Sequence, residues 1–138
     1  MSTIDLPDDY RPSEDEPFMN ERQRAYFKKK LLDWRAEILR ESRETLENLQ
    51  RLEQHPDATD RASSESERSL ELRARDRQRK LIAKIDAALE RIEAGTYGYC
   101  QETGEPIGIK RLEARPVATL SLEAQERHER RERIYRDD

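Results

Sequence analysis

A single cysteine, a 33% apolar fraction and the want of any long hydrophobic run bound what this 138-residue chain can be. One thiol, Cys100, cannot form an internal disulfide, which points to a reducing compartment. The apolar content is too low for one compact globule of ordinary composition. It leaves either a disordered chain or an elongated helical assembly with a narrow apolar seam. No apolar stretch is long enough to span a membrane. The first 17 residues are acidic and lack the basic and apolar regions of a signal peptide, so the expected location is the cytoplasm. There is no excess of positive charge either: 27 basic residues stand against 31 acidic ones, for a net charge of -4. That balance argues against a dedicated DNA-binding surface and suits helix faces with oppositely charged neighbours.

What is present is periodicity. Phe27, Leu31, Trp34 and Ile38 recur at steps of four and three, and after a slip at Ser42 the stripe resumes through Leu46, Leu49 and Leu52. This is one face of a long helix, from about Asn20 to Gln54. His55-Pro56-Asp57 stops it, because proline disfavours helical geometry before it and donates no backbone hydrogen bond. A second stripe, Leu70, Ala74, Arg77, Leu81, Ile85, Ala88 and Ile92, runs on to Gly95. Two long helices joined by a short turn lie antiparallel, and such narrow seams suit a coiled coil.

Four regions follow from this pattern. Residues 1–19 read as a mobile acidic tail and 20–94 as a coiled-coil hairpin with its tip at 55–62. Residues 95–120 read as a small globular region of short strands or turns, with Gly104-Glu105-Pro106 in a tight turn. Residues 121–138 read as a C-terminal helix. The fold class is mainly α.

Three features invite a functional reading. At the tip, Asp57 and Asp60 suit helix capping, or the delivery of acidic groups into a narrow cavity of a partner. Cys100 and Thr103, with Ser121 and Ala124, have the two-residue spacings of a zinc knuckle. Only the cysteine is a good ligand, so zinc is not expected. Arg77 falls on the apolar stripe, Lys84 follows it, and Lys110, Arg111 and Arg115 crowd the globular region. They read either as snorkelling, ion-paired side chains or as a phosphate-binding cluster. No nucleophile–base set, phosphate loop or dinucleotide fingerprint is present, so an enzyme is not expected.

With these residues in view, the chain resembles the DksA/TraR family of RNA polymerase-binding transcription factors from about Phe27 to Arg130. The resemblance rests on Asp57-Ala58-Thr59-Asp60-Arg61-Ala62, on the helix Ser69–Arg77, on Tyr97-Gly98-Tyr99-Cys100 and on the run Pro106–Pro116. It implies a long antiparallel coiled-coil hairpin on a small zinc-finger-like domain with a C-terminal helix. The coil would enter the polymerase secondary channel, with Asp57, Asp60 and Ala62 facing the active site. The base would contact the channel rim, and the factor would act as a monomer without specific DNA or membrane binding. With the alarmone ppGpp at the interface, it would destabilise open promoter complexes, repressing ribosomal RNA promoters and activating some biosynthetic ones in the stringent response. The ppGpp-side positions fall on Arg77, Leu81, Lys84 and Arg115.

This chain departs from the family pattern in carrying Gln54 where asparagine is common and Gln125 where lysine is common. The second change removes a positive charge from the ppGpp side. Zinc-containing members also have cysteines where this chain has Cys100, Thr103, Ser121 and Ala124. The expectation is therefore a metal-free base, with Cys100 either a structural thiol or an oxidant sensor. The rival readings are a Gre-like transcript-cleavage or elongation factor and a structural coiled-coil adaptor or dimer. The adaptor predicts a second apolar stripe on an outer face, and none is evident in the sequence.

Overall fold

A computed structural model describes residues 5–53 and 58–136, and for residues 58–64 the helical backbone alone. Among the described residues four helices follow in order: α1 (Glu21–Leu52), α2 (Ala58–Ala94), α3 (Ile109–Ala114) and α4 (Leu122–Arg136). The chain divides into two compact units, one built from Met1–Leu31 and Ala87–Asp138, the other from Leu32–Asp86. Among the described residues no helix is long and apolar enough to cross a membrane.

The ends of the long helices have local causes. Asn20 caps α1: its side-chain oxygen accepts the Gln23 N–H at 2.9 Å, and the Gln23 side chain reaches back to accept the Met19 N–H at 2.7 Å. This pairing satisfies two backbone donors near the helix start. At the other end of α2, Gly95 adopts a φ of 80°, the Gly95 N–H bonds to the Ile92 carbonyl, and the Thr96 N–H bonds to the Arg91 carbonyl. These bonds form a Schellman motif, which a glycine enters without a Cβ penalty.

In the Leu32–Asp86 unit the pairing is antiparallel. Arg35 meets Asp86 at 2.7 Å, Thr45 meets Gln78 at 3.3 Å and Glu53 meets Arg68 at 3.3 Å, so the partner's number falls as the first one rises. The seam of α1 runs through Ile38, Ser42, Thr45, Leu49 and Leu52, with Ile38, Thr45 and Leu49 buried. It does not slip at Ser42. The alternating steps of four and three continue through two small polar residues, and Leu46, expected inside, is 40% exposed. The seam of α2 keeps Ile85, Ala88 and Ile92 of the expected stripe buried and departs from it at two positions. Gln78 rather than Arg77 turns inward, Arg77 is exposed, and Leu70 is 61% exposed. The polar layer is not fully satisfied: Gln78 Nε2 donates to Thr45 Oγ1, but Gln78 Oε1 is buried without a partner among the described residues.

The outer face of α1 also differs from expectation. Leu32, Leu39 and Leu46 stand seven residues apart, and each is at least 40% exposed. They form the second apolar stripe that the sequence pattern had not suggested.

The other unit has a denser core. Phe27, Leu31, Ala88, Ile92, Tyr97 and Leu112 are almost wholly buried. The Tyr97 hydroxyl donates to the Pro116 carbonyl at 2.8 Å, so the largest core side chain also ties down the segment after α3. Residues 95–120 contain no strand among the described residues. They hold one isolated bridge, Tyr99 to Pro106, and the short helix α3 within the Pro106–Pro116 run.

The acidic N-terminal segment is packed, which corrects its reading as a mobile tail over the residues described. Tyr10 stacks edge-on against Tyr26 at 6.0 Å and donates to Glu16 at 2.9 Å, while Phe18 meets Tyr99 at 5.4 Å. The side chain of Gln23, fully buried, donates to the Ser13 carbonyl at 3.0 Å. Met19 lies against Gly98, whose φ is 91°. A Cβ there would meet the Met19 Cγ at 3.0 Å.

Candidate functional site

The expected tip residues are only partly within reach of description. Asp57 lies outside the described residues, together with Gln54 and His55-Pro56. Asp60 and Ala62 lie on the first turns of α2, and their side chains are outside the described residues as well.

The expected ppGpp-side residues divide between the two units. Arg77, Leu81 and Lys84 come together on α2, lining one open groove of about 850 Å³. Arg77 and Lys84 are exposed, Leu81 is half-buried between them, and neither cation has an ion pair among the described residues. Two turns of helix separate the cations by roughly 10 Å. Uncommitted cations around an apolar floor can hold an anion that also presents an apolar face. Arg115, in the other unit, follows the last turn of α3 and is exposed. Gln125 sits on α4 and bonds to Glu129.

The four knuckle positions lie on two loops joined by backbone hydrogen bonds. The Cys100 N–H donates to the Glu105 carbonyl at 2.8 Å, the Gly104 N–H to the Cys100 carbonyl at 2.8 Å, and the Gln101 N–H to the Thr119 carbonyl at 2.9 Å. Cys100 itself is buried. Burial pushes its thiol up. Hydrogen bonds to the sulfur, foremost from the Thr103 hydroxyl and then from the backbone N–H groups of Ser121, Thr103 and Glu102, outweigh that effect and bring it down to about 6.

The other positions serve structural purposes. Thr103 Oγ1 accepts the Glu105 N–H at 3.3 Å. Ser121 caps α4, accepting the Ala124 N–H at 3.2 Å. Ala124 is fully buried and has no side-chain donor. One sulfur, two hydroxyls engaged with the backbone and a methyl group do not make the four-donor set that structural zinc requires. Glu102 draws Arg127, His128 and Arg131 of α4 to within 3.6–4.0 Å, giving the loop a charged tie to the last helix.

Sequence reasoning missed the groove as a whole. Its signal was the spacing of basic residues and leucines on α2, but assigning Arg77 to the seam turned that face inward.

Residues 23–92 match the family model for the DnaK suppressor protein DksA N-terminal domain, and residues 95–130 match the prokaryotic dksA/traR C4-type zinc finger. The chain belongs to the DksA family. It is 73% identical over 131 residues to the RNA polymerase-binding transcription factor DksA of Caulobacter vibrioides, covering 94% of this chain and 92% of that protein. It is 44% identical over 125 residues to the RNA polymerase-binding transcription factor DksA of Escherichia coli, covering 90% and 83%. Among solved structures, transcription factor DksA2 from Pseudomonas aeruginosa superposes with a TM-score of 0.80 at 48% identity, covering 84% of this chain and 90% of that one. The zinc-finger segment thus keeps its family's pattern, while the donors a C4 site needs are reduced to Cys100.

Proposed function

We propose that this chain binds RNA polymerase and regulates transcription, acting from the cytoplasm as a non-enzymatic factor. The observation that carries this reading is 73% identity, across 94% of the chain, to a protein named for RNA polymerase binding. The hairpin enters the secondary channel, Asp57, Asp60 and Ala62 face the active site, and open promoter complexes become shorter-lived. ppGpp acts at the interface through Arg77, Leu81, Lys84 and Arg115. The pairing of Arg77 and Lys84, without ion-pair partners among the described residues, with the Leu81 floor supports that assignment, because a guanosine polyphosphate carries both anionic groups and an apolar base. The base works without metal, its knuckle closed by hydrogen bonds around Cys100.

Open-complex lifetime on a ribosomal RNA promoter, with and without ppGpp, tests the reading against Asp57→Asn and Asp60→Asn variants. Wild type is expected to shorten the lifetime and the variants to lose that effect. An inert wild type sinks the proposal, and cleavage of backtracked RNA would favour a Gre-like factor. Stoichiometric zinc in elemental analysis would overturn the metal-free base.

The Leu32, Leu39 and Leu46 stripe favours one second reading, self-association of the coil. Analytical ultracentrifugation decides between monomer and dimer.

A further inference from the structure

The seam of the Leu32–Asp86 unit changes character at the layer where Thr45 meets Gln78. On the side toward Asp86 it is apolar and closed: Ile38 and Ile85 are buried, and Arg35 holds Asp86 at 2.7 Å. On the other side the seam positions of α2 are Ala74 and Glu71, both half-buried, while Leu70 and Leu72 are exposed. Leu49 is the one buried apolar side chain there among the described residues. An open cleft of about 390 Å³ lies between the helices, bordered by Asn48, Arg51 and Leu52 of α1 and by Glu67, Leu70 and Glu71 of α2.

The layer itself weakens the joint. Thr45 Oγ1 donates its proton to the Glu41 carbonyl at 2.9 Å, so toward Gln78 it can only accept, from Nε2 at 3.3 Å. It therefore cannot serve Gln78 Oε1, which is buried without a partner among the described residues. A buried acceptor left without a donor penalises the closed state, and water satisfies it once the helices part. Beyond the layer the helices are joined mainly by Leu49 and by the pair of Glu53 and Arg68 at 3.3 Å, whose side chains are about half exposed. An exposed ion pair contributes little, so one leucine is set against the conformational freedom that two helical arms gain on parting.

We propose that the layer of Thr45 and Gln78 is an internal break point of the coil. The arms beyond it, residues 46–53 and 65–77, separate as one cooperative unit while the seam through Ile38 and Ile85 stays closed. Local openings of this kind are drawn from segments with few buried apolar contacts. The device gives the coil a stiff stem and arms of adjustable spacing, divided by a single polar layer. It is a property of the free chain and holds whether or not RNA polymerase is the partner.

The test is hydrogen exchange of the full chain, followed amide by amide by NMR at rising guanidinium concentration. Amides of 46–53 and 65–77 are expected to share one opening and to be protected about tenfold less, or weaker still, than those of 35–39 and 82–86. Thr45→Val with Gln78→Leu removes the break and should bring the two sets within about threefold of each other. Leu49→Ala should lower the protection of the arms about tenfold further and leave 35–39 and 82–86 within about twofold of wild type. Equal protection of the two sets in the wild type overturns the proposal. So does a gap that survives the double substitution, or a loss from Leu49→Ala that spreads evenly through both sets. Arms without any protection in the wild type overturn it as well, because they would then not be closed at rest. If Leu49→Ala fails to fold, the wild type and the double variant decide the matter alone.

Discussion

The same two helices are held together by different means in the two units. In the Met1–Leu31 and Ala87–Asp138 unit, their ends join a three-dimensional core in which Phe27, Tyr97 and Leu112 are almost sealed from solvent. In the Leu32–Asp86 unit the described residues of the two helices pair with one another, and the middle of their seam carries Ser42, Thr45 and Gln78. A dense core makes each buried methylene count, because the surroundings relax little around a cavity. A two-helix seam leaves most side chains half in water, and its polar layer contributes specificity of pairing more than stability. Stability is therefore concentrated in one unit while the other presents surface.

Mutations can break this contrast, and the largest effect is expected in the dense core. Phe27→Ala should cost about 3–5 kcal/mol, read as a fall in thermal midpoint. A cost under about 1 kcal/mol would show that the core collapses easily around the missing ring. Next comes the polar layer, where the sign reverses. Thr45→Val with Gln78→Leu removes a buried unsatisfied carbonyl and should stabilise the coil by about 1–3 kcal/mol, with slower hydrogen exchange along the Leu32–Asp86 unit. Gly98→Ala should destabilise by about 1–2 kcal/mol, because φ is 91° and the new methyl group would press on Met19. Arg35→Ala, on a partly exposed pair, should change the melting curve by less than about 1 kcal/mol.

Acid should act on the packed N-terminal segment. The Tyr10 hydroxyl, foremost, holds the Glu16 carboxyl below its ordinary value of 4.5. A depressed carboxyl pKa means the folded form binds its proton less readily than the unfolded one. Its stabilising effect is therefore present above pH 4.5 and fades as the pH falls further. Tyrosine fluorescence between pH 6 and pH 3 should show Tyr10 leaving Tyr26 in the lower part of that range, and Glu16→Gln should remove the transition.

Much of the hairpin was legible because its signals are local. Spacings of three and four mark helices, His55-Pro56 marks an interruption, and Gly95 ends α2 by backbone freedom alone. The phase of the seam was less legible because leucine was favoured as the inner residue. Antiparallel pairing instead places Thr45 and Gln78 opposite one another and leaves Leu46 and Leu70 outside. Helix α3 escaped notice because six residues carry too little periodicity. The N-terminal segment escaped because its packing depends on distant partners, Tyr26 and Tyr99, which proline and acidic residues nearby cannot reveal. At the knuckle, the missing zinc donors could be read directly, whereas the new duty of Ser121 could not.

That duty of Ser121 sets a cost on building a four-thiolate site at the knuckle. Its hydroxyl now starts α4, and Ala124 next along is sealed in the core. A lone Ser121→Cys would give up a helix cap, worth about 1 kcal/mol, and still leave two thiolates where zinc asks for four donors. Ala124→Cys would have to place a larger side chain at a fully buried position. Each single substitution toward four thiolates therefore costs stability before a complete donor set exists to bind a metal.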